Sequence, residues 1–175
     1  MLKNTVLLFC AVLLSGCALL EPIDWAAEQD SVDAGNPELQ AAISANVPAF
    51  AYRVTLYKPD SAGGVSAKVT LRNLTGQPLK YMRATVTPYN AVGDVQRSQI
   101  GGYSSRQITK TGPIKVGGFG DPSGKKLWYN ETITCATVDS IELVYMDGTI
   151  EKLDSKPLLE TALSSEVSRD CQPVI

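Results

Sequence analysis

The chain has 175 residues, 16 basic and 18 acidic side chains, a formal charge of −2 and no histidine. That length suits one domain, and the absence of any basic block argues against a nucleic-acid partner or a polybasic membrane patch. Without histidine there is no Ser–His or Cys–His catalysis and no usual zinc-enzyme ligand set, and the commonest general base is missing.

The N-terminus opens with a short polar head carrying Lys3, followed by the apolar run TVLLFCAVLL over residues 5–14. A run of ten matches a signal-peptide core and falls short of the ~20 residues that a membrane-spanning helix needs. Leu14-Ser15-Gly16-Cys17 comes next and resembles the lipobox of bacterial lipoproteins. The resemblance implies cleavage before Cys17, with a covalent diacylglycerol on its thiol and an acyl group on its freed amine. Each buried methylene contributes ~0.8 kcal/mol, so three acyl chains would hold the protein permanently where one would not. Ala18, in place of an Asp after the cysteine, implies delivery to the outer membrane of a Gram-negative cell, facing the periplasm. Residues 1–16 are thus expected to be a signal peptide, residues 17–35 a lipidated tether, and residues 36–175 the folded domain.

Asn36-Pro37-Glu38 is a helix-start signal, with Asn as the N-cap and Pro in the first turn. Leu39, Ala42, Ile43 and Val47 give the helix an apolar stripe, and Pro48 is expected to end it at about Val47. From Phe50 the apolar period becomes two. Phe50, Tyr52, Val54 and Leu56 alternate with polar or small neighbours, and Val65, Ala67, Val69 and Leu71 do so after an SAGG turn. Such alternation marks half-buried antiparallel strands. After the turn NLTGQP, a third strand carries Met82, Ala84 and Val86 on one face, with Pro88 marking an edge or a bulge. Gly112-Pro113 is expected to interrupt the next strand, and GGFGDPSG (residues 117–124) to form a flexible loop. LWYNETITC and SIELVYM read as two strands. Asp147-Gly148 is the strongest hairpin signal, followed by the returning strand TIEKL. A C-terminal helix from Pro157 places Leu158, Leu159, Ala162, Leu163 and Val167 on one face.

These elements predict a mainly β protein: an antiparallel immunoglobulin-like β-sandwich with a short N-terminal and a C-terminal helix. A small barrel is the alternative. Within residues 67–98, Asn73, Gly76, Pro78, Leu79, Tyr81, Tyr89, Asn90 and Gly93 occupy a pattern that resembles the FxLYD-type Ig-like domains of exported bacterial proteins. GPIKVGG and IELVYMDGT resemble that family's later loop and closing hairpin, although its usual L-x-P-G is not intact. The resemblance covers about half of the chain after the signal peptide. It implies a fold and an interaction module, and brings no catalytic set with it.

Four cysteines reduce to two once Cys10 leaves with the signal peptide and Cys17 is lipidated. In an oxidising compartment Cys135 and Cys171 are expected to form a disulfide, with two separate buried thiols as the alternative. Their number and spacing exclude a CxxC redox site or a zinc cluster.

Tests for other chemistry fail. The P-loop pattern breaks in GGFGDPSGKK, where Phe119 stands at the first glycine position and Lys126 at the Ser/Thr position. Ser66 and Lys68 share a strand face without an oxyanion-hole motif nearby. Asp139, Glu142 and Asp147 lack calcium-loop spacing. No metal ligand set, catalytic residue or cofactor other than the lipid on Cys17 is expected. The remaining candidates are Tyr103, Phe119, Trp128 and Tyr129, aromatic residues flanking the glycine-rich stretch. One of Trp128 and Tyr129 is expected in the core and the other outside, where an aromatic side chain beside a loop suits a protein or glycan contact. The sequence therefore points to a non-enzymatic, lipid-anchored module that engages a protein partner in the cell envelope. A binding protein for a glycan or other small ligand, using those aromatic residues, is the rival.

Overall fold

Period-two alternation carries the fold. In the computed structural model, which describes residues 35–169 and Cys171, Val65, Ala67, Val69 and Leu71 are all buried and the residues between them are half-exposed. The expected signal peptide, Cys17, and the expected tether up to residue 34 lie outside the described residues. Among those described, the elements are α1 (Pro37–Ser44), β1 (Ala49–Tyr57), β2 (Gly64–Asn73), β3 (Leu79–Tyr89), β4 (Arg106–Ile114), β5 (Phe119–Gly120), β6 (Ser123–Tyr129), β7 (Cys135–Tyr145), β8 (Ile150–Leu153), α2 (Lys156–Ala162) and α3 (Ser165–Arg169). The protein is mainly β, and its strands pair antiparallel.

The hydrogen-bonded path runs β1-β2-β6-β4-β3-β7-β8, with β5 attached to β2. The path is uneven. β3 and β7 pair along almost their whole lengths, whereas β4 and β6 meet only at Thr109 and Ser123. The sheet curls there, and β1 packs against β7 although the two are far apart along the path. Phe50, Leu71, Leu79, Met82, Val86, Trp128, Ile141 and Leu143 fill the interior and are fully buried. Each large apolar side chain enclosed in this way contributes ~1.5–3 kcal/mol.

Several local expectations are met in modified form. Asn36 caps α1, its Oδ1 accepting from the N–H groups of Glu38 and Leu39 at 3.0 Å each. The helix ends at Ser44, three residues before the expected Val47. Asn46 takes a left-handed φ of 55°, and the amides of Asn46 and Val47 donate back to Ile43 and Ala42. This is a Schellman closure, with Asn where Gly is commoner and Val47 buried after it. Pro88 pairs with Ala136 of β7 but lies beyond the last β4 partner of β3, Val86. Its missing N–H therefore faces no ladder on that side. Gly112-Pro113 is a cis bulge within β4, not its end. A methyl group at Gly112 would lie 2.3 Å from the Leu79 carbonyl oxygen, which is why glycine stands there.

Three expectations are corrected. GGFGDPSG is no free loop: Phe119 and Gly120 pair with Arg72 and Leu71, and the Val69 amide donates to Pro122 O. LWYNETITC is two strand ends around a turn, because the Asn130 side chain accepts from the amide and hydroxyl of Thr132 and reverses the chain. The C-terminal helix is broken. Leu163 is extended and bridges Ala51, while the Ser164 amide donates to Ala51 O and its hydroxyl to Tyr52 O. Those carbonyls sit at a bulge where Tyr52 has no β2 partner, so the helix break and the strand bulge satisfy each other. Leu158 ends up exposed, whereas Ala162 and Val167 are buried. At the Asp147-Gly148 hairpin only Gly148 has positive φ, so the turn is not the two-residue mirror-image type that the dipeptide suggests.

Candidate interaction surface

β3 and β4 are joined by a long connection, residues 90–105, with little regular structure of its own. Asn90 begins it with an Asx turn, its Oδ1 accepting from the amides of Val92 at 3.1 Å and Asp94 at 2.9 Å. Val95 then bridges Tyr89, and the Gln96 amide donates to Pro88 O. The β6–β7 turn braces the middle of the connection. Asn130 donates to Gln96 Oε1 and Arg97 O, and the Thr132 hydroxyl donates to Gln96 Oε1. The buried Ser98 hydroxyl accepts from the Tyr129 amide at 3.1 Å, and the Gln99 amide donates to Tyr129 O at 2.9 Å. Finally the Trp128 indole N–H donates to Ser104 O at 2.7 Å.

On this polar frame sit four apolar or aromatic side chains turned to solvent: Val92, Val95, Ile100 and Tyr103, between 43% and 67% exposed. Tyr103 is held in place from both sides. Its ring lies against Gly101, where a methyl group would come within 2.2 Å of it, and Arg106 lies 4.5 Å from the ring centroid. A cation–π pair at an exposed site contributes ~0.5–1 kcal/mol.

The four candidate aromatic residues do not form one group. Trp128 is fully buried and serves the frame through its indole N–H. Tyr129 is half-buried beside Ser98, and Tyr103 is exposed on the neighbouring strap. Phe119 is elsewhere. It pairs with Arg72 whereas Tyr129 pairs with Gly64, so the two stand at opposite ends of β2, ~26 Å apart along the strand. Phe119 instead meets Tyr52, ring centroids 5.5 Å apart, and the Arg72 guanidinium. Burial pushes the pKa of the Tyr52 hydroxyl up to about 12. Val92, Val95 and Ile100 were missed by sequence reading, because isolated apolar residues in a turn-rich stretch carry no periodicity. The signal available was their density between Asn90 and Ser105.

The opposite end of the sheet holds a cleft of about 670 Å³ between α1, the β2–β3 turn and the β4–β5 turn. Its floor is polar. Asn73 is fully buried, and its amide nitrogen donates to the carbonyls of Gln77, Ile114 and Lys115. Its oxygen accepts from the amide and hydroxyl of Thr75. Ile43 and Val116 stand exposed on the rim. Such an arrangement fixes the β2–β3 and β4–β5 turns.

Cys135, at the start of β7, is bonded to Cys171, with Cα atoms 5.5 Å apart. Among the described residues no three histidine, cysteine or acidic side chains group as a metal site, and no helix is long and apolar enough to cross a membrane. Comparison with known families, curated proteins and solved structures returns no match.

Proposed function

We propose that the chain is a non-enzymatic lipoprotein of the outer membrane, anchored through Cys17, whose periplasm-facing domain engages a protein partner in an envelope assembly. The observation that carries this reading is the braced loop of residues 90–105, which presents Val92, Val95, Ile100 and Tyr103 to solvent. Side chains held in water at fixed positions lose little freedom on binding, which is what a contact surface requires. Polarity supports the reading as well. Gly35 enters the domain at the α1 end, and the loop lies at the far end of β3. A tether over residues 17–35, with a reach of ~60 Å at most, would join the domain at the end opposite the loop and leave the loop unobstructed.

The finer fold belongs to the same proposal. β1, β2 and β6 form one group of strands and β4, β3, β7 and β8 another, joined at a single residue pair. That grouping is what an immunoglobulin-like sandwich of the FxLYD type would need. Ligand binding by the aromatic set fits less well, since Phe119 and Tyr129 share no cavity and Trp128 is enclosed.

The test is in-cell photocrosslinking with the probe placed at Ile100, and at Ile43 as the reference. A discrete adduct from position 100 that is absent from position 43 supports the proposal, and its absence across growth conditions would sink it. The anchor is tested separately by Cys17→Ser, which should leave a non-lipidated precursor of higher mass.

A further inference from the structure

We infer that the lysine-rimmed pocket between the β1–β2 hairpin and β6 binds a dianionic group, of the phosphate monoester class, carried on a molecule with an apolar body. The inference does not rest on the partner-binding reading, because its residues come from the β1–β2 hairpin and β6 and none from the loop of residues 90–105.

The pocket exists because β6 bulges. Between the pairs Ala67–Gly124 and Val65–Trp128, β2 advances two residues and β6 advances four. Regular alternation would send one of Lys125 and Lys126 inward. The bulge instead leaves both exposed, followed by Leu127 and Trp128, both buried. Lys126 adopts φ 50°, a left-handed conformation disfavoured for a side-chain-bearing residue, and its amide is held by the Ser66 hydroxyl at 3.0 Å. Gly124 permits this: a methyl group there would lie 2.3 Å from the inward-turned Leu127 side chain. Bulges commonly re-aim side chains in this way, and strained backbone concentrates at sites of function.

The resulting cavity of about 460 Å³ is rimmed by Lys58, Lys68, Lys125 and Lys126. Two are already partnered. Lys126 lies 2.9 Å from Asp60, and Lys68 lies 3.8 Å from Asp121. The Lys126 ammonium together with the Gly64 and Ala62 amides holds the pKa of the Asp60 carboxyl down at about 2, so this pair persists at any physiological pH. Four cations against two acids leave two positive charges, on a chain whose net charge is −2. Lysine ammonium groups bind phosphate as point charges, and two uncompensated ones match the two charges of a phosphate monoester where a carboxylate carries one. The floor is Ala67 and Gly124 with Tyr57 at the side, and a bare phosphate would leave most of the volume unfilled. An apolar body attached to the phosphate fills it.

The experiment is calorimetric titration of the full chain, extracted in a non-ionic detergent, with phenyl phosphate, inorganic phosphate and dihexanoyl phosphatidic acid. The expected result is saturable one-to-one binding of an organic phosphate, weakened ~10-fold or more in the Lys58→Gln/Lys125→Gln variant, since losing one charge-assisted contact already costs a factor of that order. Both lysines are exposed, so the variant should keep the wild-type unfolding midpoint. Tighter binding of phosphatidic acid than of phenyl phosphate assigns the site to a lipid headgroup, and the reverse assigns it to a soluble ester. No saturable heat from either ester overturns the inference. So does equal affinity in the variant, or inorganic phosphate binding as tightly as the esters.

Discussion

The two ends of the sheet are finished by opposite means. At the α1 end a polar side chain, Asn73, is taken wholly out of water and uses its hydrogen-bonding capacity on three carbonyls and on Thr75. At the other end apolar side chains are left in water, on a loop whose polar groups are turned inward to hold it. The first arrangement contributes stability, because any withdrawn partner leaves buried groups unpaired. The second contributes little, because exposed apolar surface gains nothing from folding. The domain thus closes one end with buried polar bonds and leaves apolar side chains in water at the other.

The sharpest way to break that comparison is Asn73→Ala. Leaving several buried carbonyls and the Thr75 amide without their partner should cost ~3–5 kcal/mol, at ~1–3 kcal/mol per stranded group with partial rescue by water. Urea unfolding would measure it. A loss below ~1 kcal/mol would mean that the hub is decoration. The disulfide comes next. Cys135→Ala opens a link spanning 36 residues, and the chain-entropy relation gives ~3–4 kcal/mol for such a loop. It ties the tail to the loop end, so its loss should shift the unfolding midpoint before it disturbs the Asn73 turns, as amide exchange would resolve.

A smaller effect is expected where two irregularities meet. Ser164→Ala removes the hydroxyl that serves Tyr52 O and accepts from the Val167 amide at 3.4 Å, and should cost ~1–2 kcal/mol. If that serine only happens to sit there, the variant will unfold with the wild type.

These cases also show what the sequence made readable. Alternation exposed the strands and their inward faces, since period two is a local property of a half-buried sheet. The N-cap at Asn36 and the hairpin at Gly148 were readable for the same reason. The broken C-terminal helix was not, because Leu163 and Ser164 leave helical conformation to meet a bulge more than a hundred positions earlier, at Ala51 and Tyr52. The pairing of β5 with β2 was hidden likewise: glycines at 117, 118 and 120 read as freedom, while Gly120 is there because a methyl group would lie 2.6 Å from Met82 Sδ. Of the aromatic candidates, Tyr103, Trp128 and Tyr129 lie at one end of the sheet, while Phe119 is carried to the other by that same unforeseen pairing.

The smallest effect on stability is the one that bears on function. Ile100→Asp and Val92→Asp change residues that are 59% and 67% exposed, and surface substitutions of this kind stay within ~0.5 kcal/mol. Their effect on partner binding should be far larger, because a carboxylate placed at the centre of an apolar contact must be desolvated without a partner. The two readouts therefore separate. Retained unfolding midpoint with loss of the adduct, read from a probe at Val95 that neither substitution removes, assigns the loop to contact. A matching fall in stability would assign Val92 and Ile100 to the fold instead, and the contrast between the two ends would dissolve.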